Sequence, residues 1–424
     1  MSVDRIWHPY TRASAEPESG WPVITRGEGI HLFDETGRAY VDAISSWWAC
    51  ALGHAHPRLA AAIARQAAIL PHSILGNLSH RPALELAEAL CGLMPTPDRH
   101  VHFASDGASA VEAALKIAVQ YGHNTGHPGR RGLVSLEGAY HGDTLGAMAV
   151  GYQSGFHAPF RELLFHPFRL PVPAAAGQDE DCLRVAGDWI GRHAEETAAV
   201  IVEPLCQGAA GMRMYSARFL REIAGLCRRH EILLIADEVA MGFGRTGRWF
   251  AFEHAGIDPD LVCVGKALSG GTLPISAVIV RDSIYRTFSD PQADRTFYHG
   301  HTFAGNPIAC AAALEALRIY REDGLIERAA HLGEQLRNGM QPLSGLPSVQ
   351  EVRTLGLIGA VELKPDPEPV ETTRPARVRE ALLRRGVLAR PLGNVIYLMP
   401  PLILTEGELR QLVDDLHSAV VEAG

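Results

Sequence analysis

The sequence predicts an α/β protein, with a mostly parallel sheet wrapped by helices and a smaller α+β domain beside it. Three observations carry that expectation. Short apolar runs (AAVIVEP, ILLIAD, LVCVG and PISAVIV) read as strands buried on both faces. Helix-forming stretches such as SARFLREIAGLCRRH separate them, and such alternation is the mark of a parallel sheet. The two ends of the chain mix strand and helix patterns without that alternation.

A chain of 424 residues has room for two or three domains. The expected division is 1–50 as an arm and part of a small domain, 51–308 as a large ligand-binding domain, and 309–424 as the C-terminal small domain. With 47% hydrophobic and 21% charged residues the composition is that of a globular enzyme. A formal net charge of -9 argues against a sequence-blind nucleic-acid binder, which needs a basic surface. The seven cysteines are scattered without a CxxC pair, so neither a disulfide framework nor a cysteine zinc site is expected. MSVDRIWHPYTR lacks an apolar signal core and no apolar run approaches a membrane span, so the expected location is cytoplasmic, with no membrane partner.

Taken in order, GIHLFDETGRAYVDA reads as strands about a turn at Glu35-Thr36-Gly37. Trp47 and Trp48 follow; on a strand they would face opposite ways, one into a core and the other to an interface or a ligand pocket. PRLAAAIARQAAIL and ALELAEALCGLM read as helices. VHFASDGASAVEAALKIAVQYG reads as a strand, a turn at Ser105-Asp106-Gly107-Ala108 and a helix opened by a Ser109/Glu112 capping box. Gly107 and Ala108 there form a natural phosphate cradle, although the same turn also suits plain packing. Tyr140, His141 and Asp143 lie beyond the next strand pattern, where an aromatic ring can cover a planar ligand. The pairs His54/His56 and His299/His301 lack the partners of a zinc site, so no metal is expected.

PVPAAAGQDED, from Pro171 to Asp181, reads as a surface loop. FYHGHTFAGNP reads as a crossing between domains ahead of a helix from Ile308 to Tyr320. Beyond it come the helices LIERAAHLGEQLRNGM and ARVREALLRRG, the strands LIGAVEL and NVIYLMP, and the loop KPDPEPVETTRP. Arg390 stands where a strand enters a Pro-Gly turn, as a surface residue or as a fork for a substrate carboxylate.

The chemistry centres on Ile232–Lys266. One apolar run delivers Asp237 and Glu238, and a second, Leu261 to Val264, delivers Gly265 and Lys266. Ligands of open α/β sheets collect at the carboxyl ends of the strands, so both charges point to one crevice. An aspartate and a lysine there suit pyridoxal 5'-phosphate: the lysine joins the aldehyde and the aspartate keeps the pyridine nitrogen protonated. Taken alone, the pair also fits an Asp237 that caps the next segment and a Lys266 in a solvated loop.

The islands WHPYT, SSWWA, GHAHP, AVEAALKIAVQYG, YHGDTLGAMAV, GAAGMRMY, LLIADEVAMGFGRTGRWFAFEHAGIDPDLVCVGKALSGG, GNPIACAAA and RPLGNVIYLMPP span nearly the whole chain. Together they resemble the pyridoxal-phosphate-dependent class III aminotransferases. The resemblance implies a fold-type I architecture and a homodimer with shared active sites. It implies Lys266 as the Schiff-base lysine, Asp237 at the pyridine nitrogen, Tyr140 stacked on the ring, and Gly107 and Ala108 at the phosphate. Thr302 would reach the phosphate of the neighbouring subunit's cofactor. Tyr10, Trp47, Trp48, Asp143, Arg245, Gly300 and Arg390 would line the substrate pocket, Arg390 as carboxylate anchor.

Within the family the islands are most similar to biotin-pathway members, which implies 8-amino-7-oxononanoate as amino acceptor and S-adenosylmethionine or lysine as donor. Two departures stand out. The family's serine beside the phosphate-binding glycine is absent from the run Ser105–Ala108, and His301 precedes Thr302 where adenosylmethionine-using members carry proline. Two alternatives stay open: another class III aminotransferase, acting on an ω-amino acid or diamine, and a non-catalytic binding protein on the same fold.

Overall fold

The computed structural model describes residues 5–12, 21–173, 177–291, 293–366 and 372–424. The loops expected at Pro171–Asp181 and in KPDPEPVETTRP lie partly outside the described residues. The large sheet has seven strands: β1 (Arg99–Ala104), β2 (Gly132–Leu136), β3 (Phe168–Leu170), β4 (Thr197–Val202), β5 (Leu233–Asp237), β6 (Leu261–Val264) and β7 (Ser276–Arg281). Their order across the sheet is β1-β7-β6-β5-β4-β2-β3. β7 is antiparallel to both neighbours, and the other pairings are parallel.

The central strands read as continuous apolar runs because both faces are covered. Leu234, Ala236, Val262 and Val264 enter one core, with Phe219 and Ile223 of the helix Ala217–Arg229. Leu233, Ile235, Leu261 and Cys263 enter the opposite core, with Val111 and Leu115 of the helix Gly107–Asn124. Each Val, Leu, Ile and Phe among them contributes about 1.5–3 kcal/mol on burial, which fixes the strand positions and hence where their ends lie.

The helix after β1 starts earlier than a Ser109/Glu112 box would place it. Asp106 is extended (φ -150°, ψ 171°) and acts as the N-cap, its carboxylate accepting from Ser109 N and Ser109 Oγ, each at 2.9 Å. Glu112 turns away to accept from Thr144 Oγ1 at 2.6 Å and Gly146 N at 2.7 Å. The capping box is therefore not formed. A carboxylate directly at the N-cap satisfies the first turn and frees Glu112 to hold the Asp143–Gly146 loop.

Among the described residues the other strands form three smaller sheets, one of them only the pair Cys206–Gln207 and Arg213–Met214. Ile24–Glu28, His31–Asp34 and Ala39–Asp42 form an antiparallel meander, and Val387–Leu388 joins it parallel to Ala39–Asp42, tying the two ends of the chain together. Its turn is set by Asp34, whose Oδ1 accepts from Thr36 N at 2.9 Å and Arg38 N at 3.0 Å, while Gly37 takes φ 85°. Val349–Leu355, Ile358–Leu363 and Val395–Leu398 form the second sheet, packed with the helices Leu325–Met340, Arg374–Arg384 and Glu406–Ala423. The boundary expected after residue 308 falls inside the helix Pro307–Glu322, which packs on Pro57–Ile69 and Arg81–Cys91.

The tryptophan pair is not on a strand. Ser45, Ser46, Trp47 and Trp48 have φ of 48°, 45°, 65° and 72°, a single left-handed turn closed by Trp48 N→Ile44 O at 2.8 Å and Ala49 N→Ser45 O at 2.9 Å. L-residues resist that hand by about 1–2 kcal/mol each. The partition expected of a strand is nevertheless reached by another route, with Trp48 buried and Trp47 37% exposed. Among the described residues no helix is long and apolar enough to cross a membrane.

Candidate active site

Five strands of the large sheet each deliver a group at one edge. β1 leads to Ser105–Ala108, β2 to Tyr140, β4 to Glu203, β5 ends on Asp237, and β6 leads through Gly265 to Lys266. β7 runs the other way and so begins at this edge, where Ser276 Oγ donates to Asp106 O at 2.6 Å and steadies the turn after β1. These groups line a cavity of about 720 Å³ that includes Gly107, Ala108, Tyr140, Asp237 and Lys266. The structure thus brings the lysine, the aspartate and the helix N-terminus together.

Each group is held by its own partners. Asp237 Oδ2 lies 2.7 Å from His141 Nδ1 and Oδ1 accepts from Val239 N at 3.1 Å, which fixes the carboxylate plane. Gly107 opens its helix against Val239; a Cβ there would meet Val239 Cγ1 at 2.7 Å. Gly107 and Ala108 line the cavity as the first two residues of their helix, where the amides have no carbonyl partner within the helix and the dipole's positive end lies. Lys266 has φ 44°, and Tyr320 OH donates to Ala267 O at 2.8 Å just beyond it. A non-glycine residue in that region stores strain, and such strain clusters at functional positions. Burial lowers the proton affinity of the Lys266 amine, with Asp237 and Glu203 acting in the opposite sense. Burial also pushes the Glu203 carboxyl up to about 7, against the influence of His141 and the Tyr140 amide.

A second cavity of about 310 Å³ adjoins the first, and Trp48, Tyr140, Asp143 and Lys266 line both. Its other walls are Tyr10, Trp47, Phe156, Ala209, Arg390 and Leu392. The Lys266 amine lies 4.6 Å from the Trp48 ring centre, and the Arg390 guanidinium lies 4.4 Å from that of Trp47. Tyr10 OH donates to Asp143 at 2.5 Å, Tyr140 OH donates to Asp143 Oδ2 at 3.0 Å, and Arg390 Nη2 donates to Tyr10 O at 3.0 Å. Burial and the Asp143 carboxylate raise the Tyr10 phenol to about 12, so it stays a donor.

Three expected residues lie elsewhere. Arg245 is 2% exposed and lines neither cavity; Nη1 donates to Pro400 O at 2.6 Å and Nη2 to Ser45 Oγ at 3.4 Å, so it braces the tryptophan turn from behind. Gly300 and Thr302 are exposed and line neither cavity of their own chain, although His301 Nδ1 stands 3.4 Å from Ser105 Oγ at the rim. Besides the walls Phe156, Ala209 and Leu392, two polar contributors had no assigned role in the sequence: His141, within YHGD, and Glu203, which accepts from Tyr140 N at 2.9 Å and Gly208 N at 3.0 Å. Their signal was position, since each follows directly on a buried strand or its loop. Among the described residues no group of three or more His, Cys, Asp and Glu is arranged to hold a metal ion.

The "Aminotransferase class-III" family model matches residues 13–420. An adenosylmethionine-8-amino-7-oxononanoate aminotransferase from Synechococcus elongatus is 43% identical over 99% of this chain and 98% of that protein. The crystal structure of the enzyme of that name from Methanocaldococcus jannaschii superposes with a TM-score of 0.94 at 38% identity, covering 99% of this chain and 97% of that one. An amine transaminase from an uncultivated Pseudomonas species, in its PLP-bound form, gives a TM-score of 0.93 at 34% identity over the full length of both chains. The chain belongs to the class-III aminotransferases, which are pyridoxal-phosphate-dependent enzymes of fold type I.

Proposed function

We propose that this enzyme binds pyridoxal 5'-phosphate in the larger cavity and aminates 8-amino-7-oxononanoate to 7,8-diaminononanoate, a step of biotin biosynthesis, with S-adenosylmethionine as amino donor. The residues present fit the cofactor. A helix N-terminus without a blocking Cβ suits a phosphate, the held Asp237 carboxylate suits a pyridinium, and an amine of lowered proton affinity suits an aldehyde. When bound, pyridoxal phosphate supplies an aldehyde for linkage to amines and a ring that accepts electrons from the substrate carbon. Gly107 and Ala108 would hold the phosphate, Tyr140 would cover the ring and Asp237 would keep its nitrogen protonated. Lys266 would hold the aldehyde, and its amine, of lowered proton affinity, would serve as the group that moves a proton at the carbon bearing nitrogen.

The observation that carries the substrate assignment is the second cavity. Its aromatic walls, Tyr10, Trp47 and Trp48, suit a run of methylenes, and Arg390 stands on the Trp47 side to take a terminal carboxylate. Asp143 supplies a negative charge for the acceptor's ammonium group. The reading includes a cytoplasmic homodimer in which Thr302 of the partner subunit completes the site, in keeping with the exposure of Thr302 here.

Half-reactions with S-adenosylmethionine, lysine and a panel of ω-amino acids test the assignment, followed by 8-amino-7-oxononanoate as acceptor. Conversion by S-adenosylmethionine and product formation are expected. Conversion by lysine alone would replace the donor, conversion by small ω-amino acids alone would overturn the substrate reading, and a preparation left colourless by added pyridoxal phosphate would overturn the cofactor.

A further inference from the structure

We propose that Asp42 and His54 are positioning residues for the substrate pocket, holding Ser45–Trp48 in the left-handed turn that sets Trp48 against the Lys266 amine and Trp47 against the Arg390 guanidinium. The proposal rests on the reading of the two tryptophans as pocket walls.

Four consecutive non-glycine residues of the turn have positive φ. Left-handed residues normally occur singly, because Cβ crowds the following carbonyl oxygen. The hydrogen bonds within the turn do not select its hand, since a right-handed turn would form equivalent ones. Selection therefore has to come from outside. Asp42 is 1% exposed, and its Oδ2 accepts from Ser46 Oγ at 2.7 Å and lies 2.9 Å from His54 Nε2. Its Oδ1 lies 3.3 Å from Ile44 N, the residue that leads into the turn. One carboxylate thus ties the entry and the second residue of the turn to a histidine.

That histidine is itself anchored by its backbone. Its backbone pairs with Gly29 in both directions, Gly29 N→His54 O at 3.2 Å and His54 N→Gly29 O at 2.7 Å. Gly27 lies so close that a Cβ there would meet His54 Cβ at 2.6 Å. Burial draws the His54 pKa down, but Asp42 and Cys50 together, by hydrogen bonding and charge, outweigh it and raise the ring to about 9, so the contact with Asp42 is charge-assisted at neutral pH. Neither Asp42 nor His54 lines either cavity, so they act on substrate through other residues, chief among them the turn that Asp42 holds.

The test uses His54→Ala and Asp42→Asn in the holoenzyme. KM for the amino acceptor is expected to rise about tenfold with kcat within about threefold, and amide exchange of residues 44–49 to quicken about tenfold while Leu233–Asp237 is unchanged. Adding Ser46→Gly to His54→Ala should recover part of the KM, because glycine takes positive φ without a Cβ clash. Should His54→Ala not fold, Ser46→Ala removes only the hydroxyl that reaches Asp42 and should raise KM about threefold. Unchanged KM and unchanged exchange at 44–49 would overturn the proposal, as would faster exchange throughout with kcat and KM both impaired. Trp47→Ala separates the two readings: if it leaves acceptor KM unchanged the pocket assignment fails, while the exchange data still decide whether the pair holds the turn.

Discussion

His141 Nδ1 lies 2.7 Å from Asp237 Oδ2, and both side chains are buried at the carboxyl edge of the sheet. With Val239 N on the other oxygen, the carboxylate is oriented from two sides. Asp237→Asn keeps the shape and removes the charge, so kcat is expected to fall by on the order of 10²–10³-fold, as for loss of a preorganised electrostatic partner. His141→Ala acts one step further out and removes a bond worth about 1.5–3 kcal/mol if charged, a drop of roughly tenfold or more. Steady-state kinetics at saturating cofactor measure both, and equal losses would contradict this order of roles.

Lys266 combines an indispensable amine with a strained backbone at φ 44°. Lys266→Ala and Lys266→Gly should both abolish turnover. Only the glycine variant relieves the positive φ, so it should be the more stable of the two by about 1 kcal/mol in denaturant unfolding. A more stable alanine variant would show that the backbone there is unstrained.

Arg390→Met should raise KM for the acceptor by roughly 10–100-fold, the loss of a charge-assisted bond to carboxylate, with little change in kcat. The methyl ester of the acceptor isolates the effect. If wild type and variant still differ tenfold on the ester, Arg390 acts by packing on Trp47 instead.

The Asp42–His54 pair, with Cys50 beside the imidazole, makes stability depend on alkaline pH. His54 is raised to about 9 in the folded chain, against about 6.5 unfolded. The folded state therefore holds the proton more tightly, and the contribution is complete below about pH 6.5 and lost as pH rises through about 9. Denaturation midpoints across that window should fall for wild type and fall less for His54→Gln; parallel slopes would show that the pair does not titrate there.

Much of this was legible in the sequence because it depends on local period. The apolar runs ending at Glu203, Asp237 and Gly265 read as buried strands, and the structure ends them along one edge. The Ser109/Glu112 box misled because Asp106 caps the same turn from closer at hand. Arg245 stands in a matching motif, yet its guanidinium is spent on Pro400 and Ser45, partners more than a hundred residues away for which no local pattern exists.

By itself the sequence determined the α/β class and the positions of most strands of the large sheet, with Asp237 and Lys266 at the ends of two of them, because alternation and burial act over a few residues. Only the tertiary structure decided that β7 runs antiparallel, that His141 and Glu203 support the site, and that the tryptophans sit on a left-handed turn. The physical reason is the same in each case. An unfavourable backbone hand or a buried charge persists only where distant groups hold it, and those distances exist only once the chain has folded.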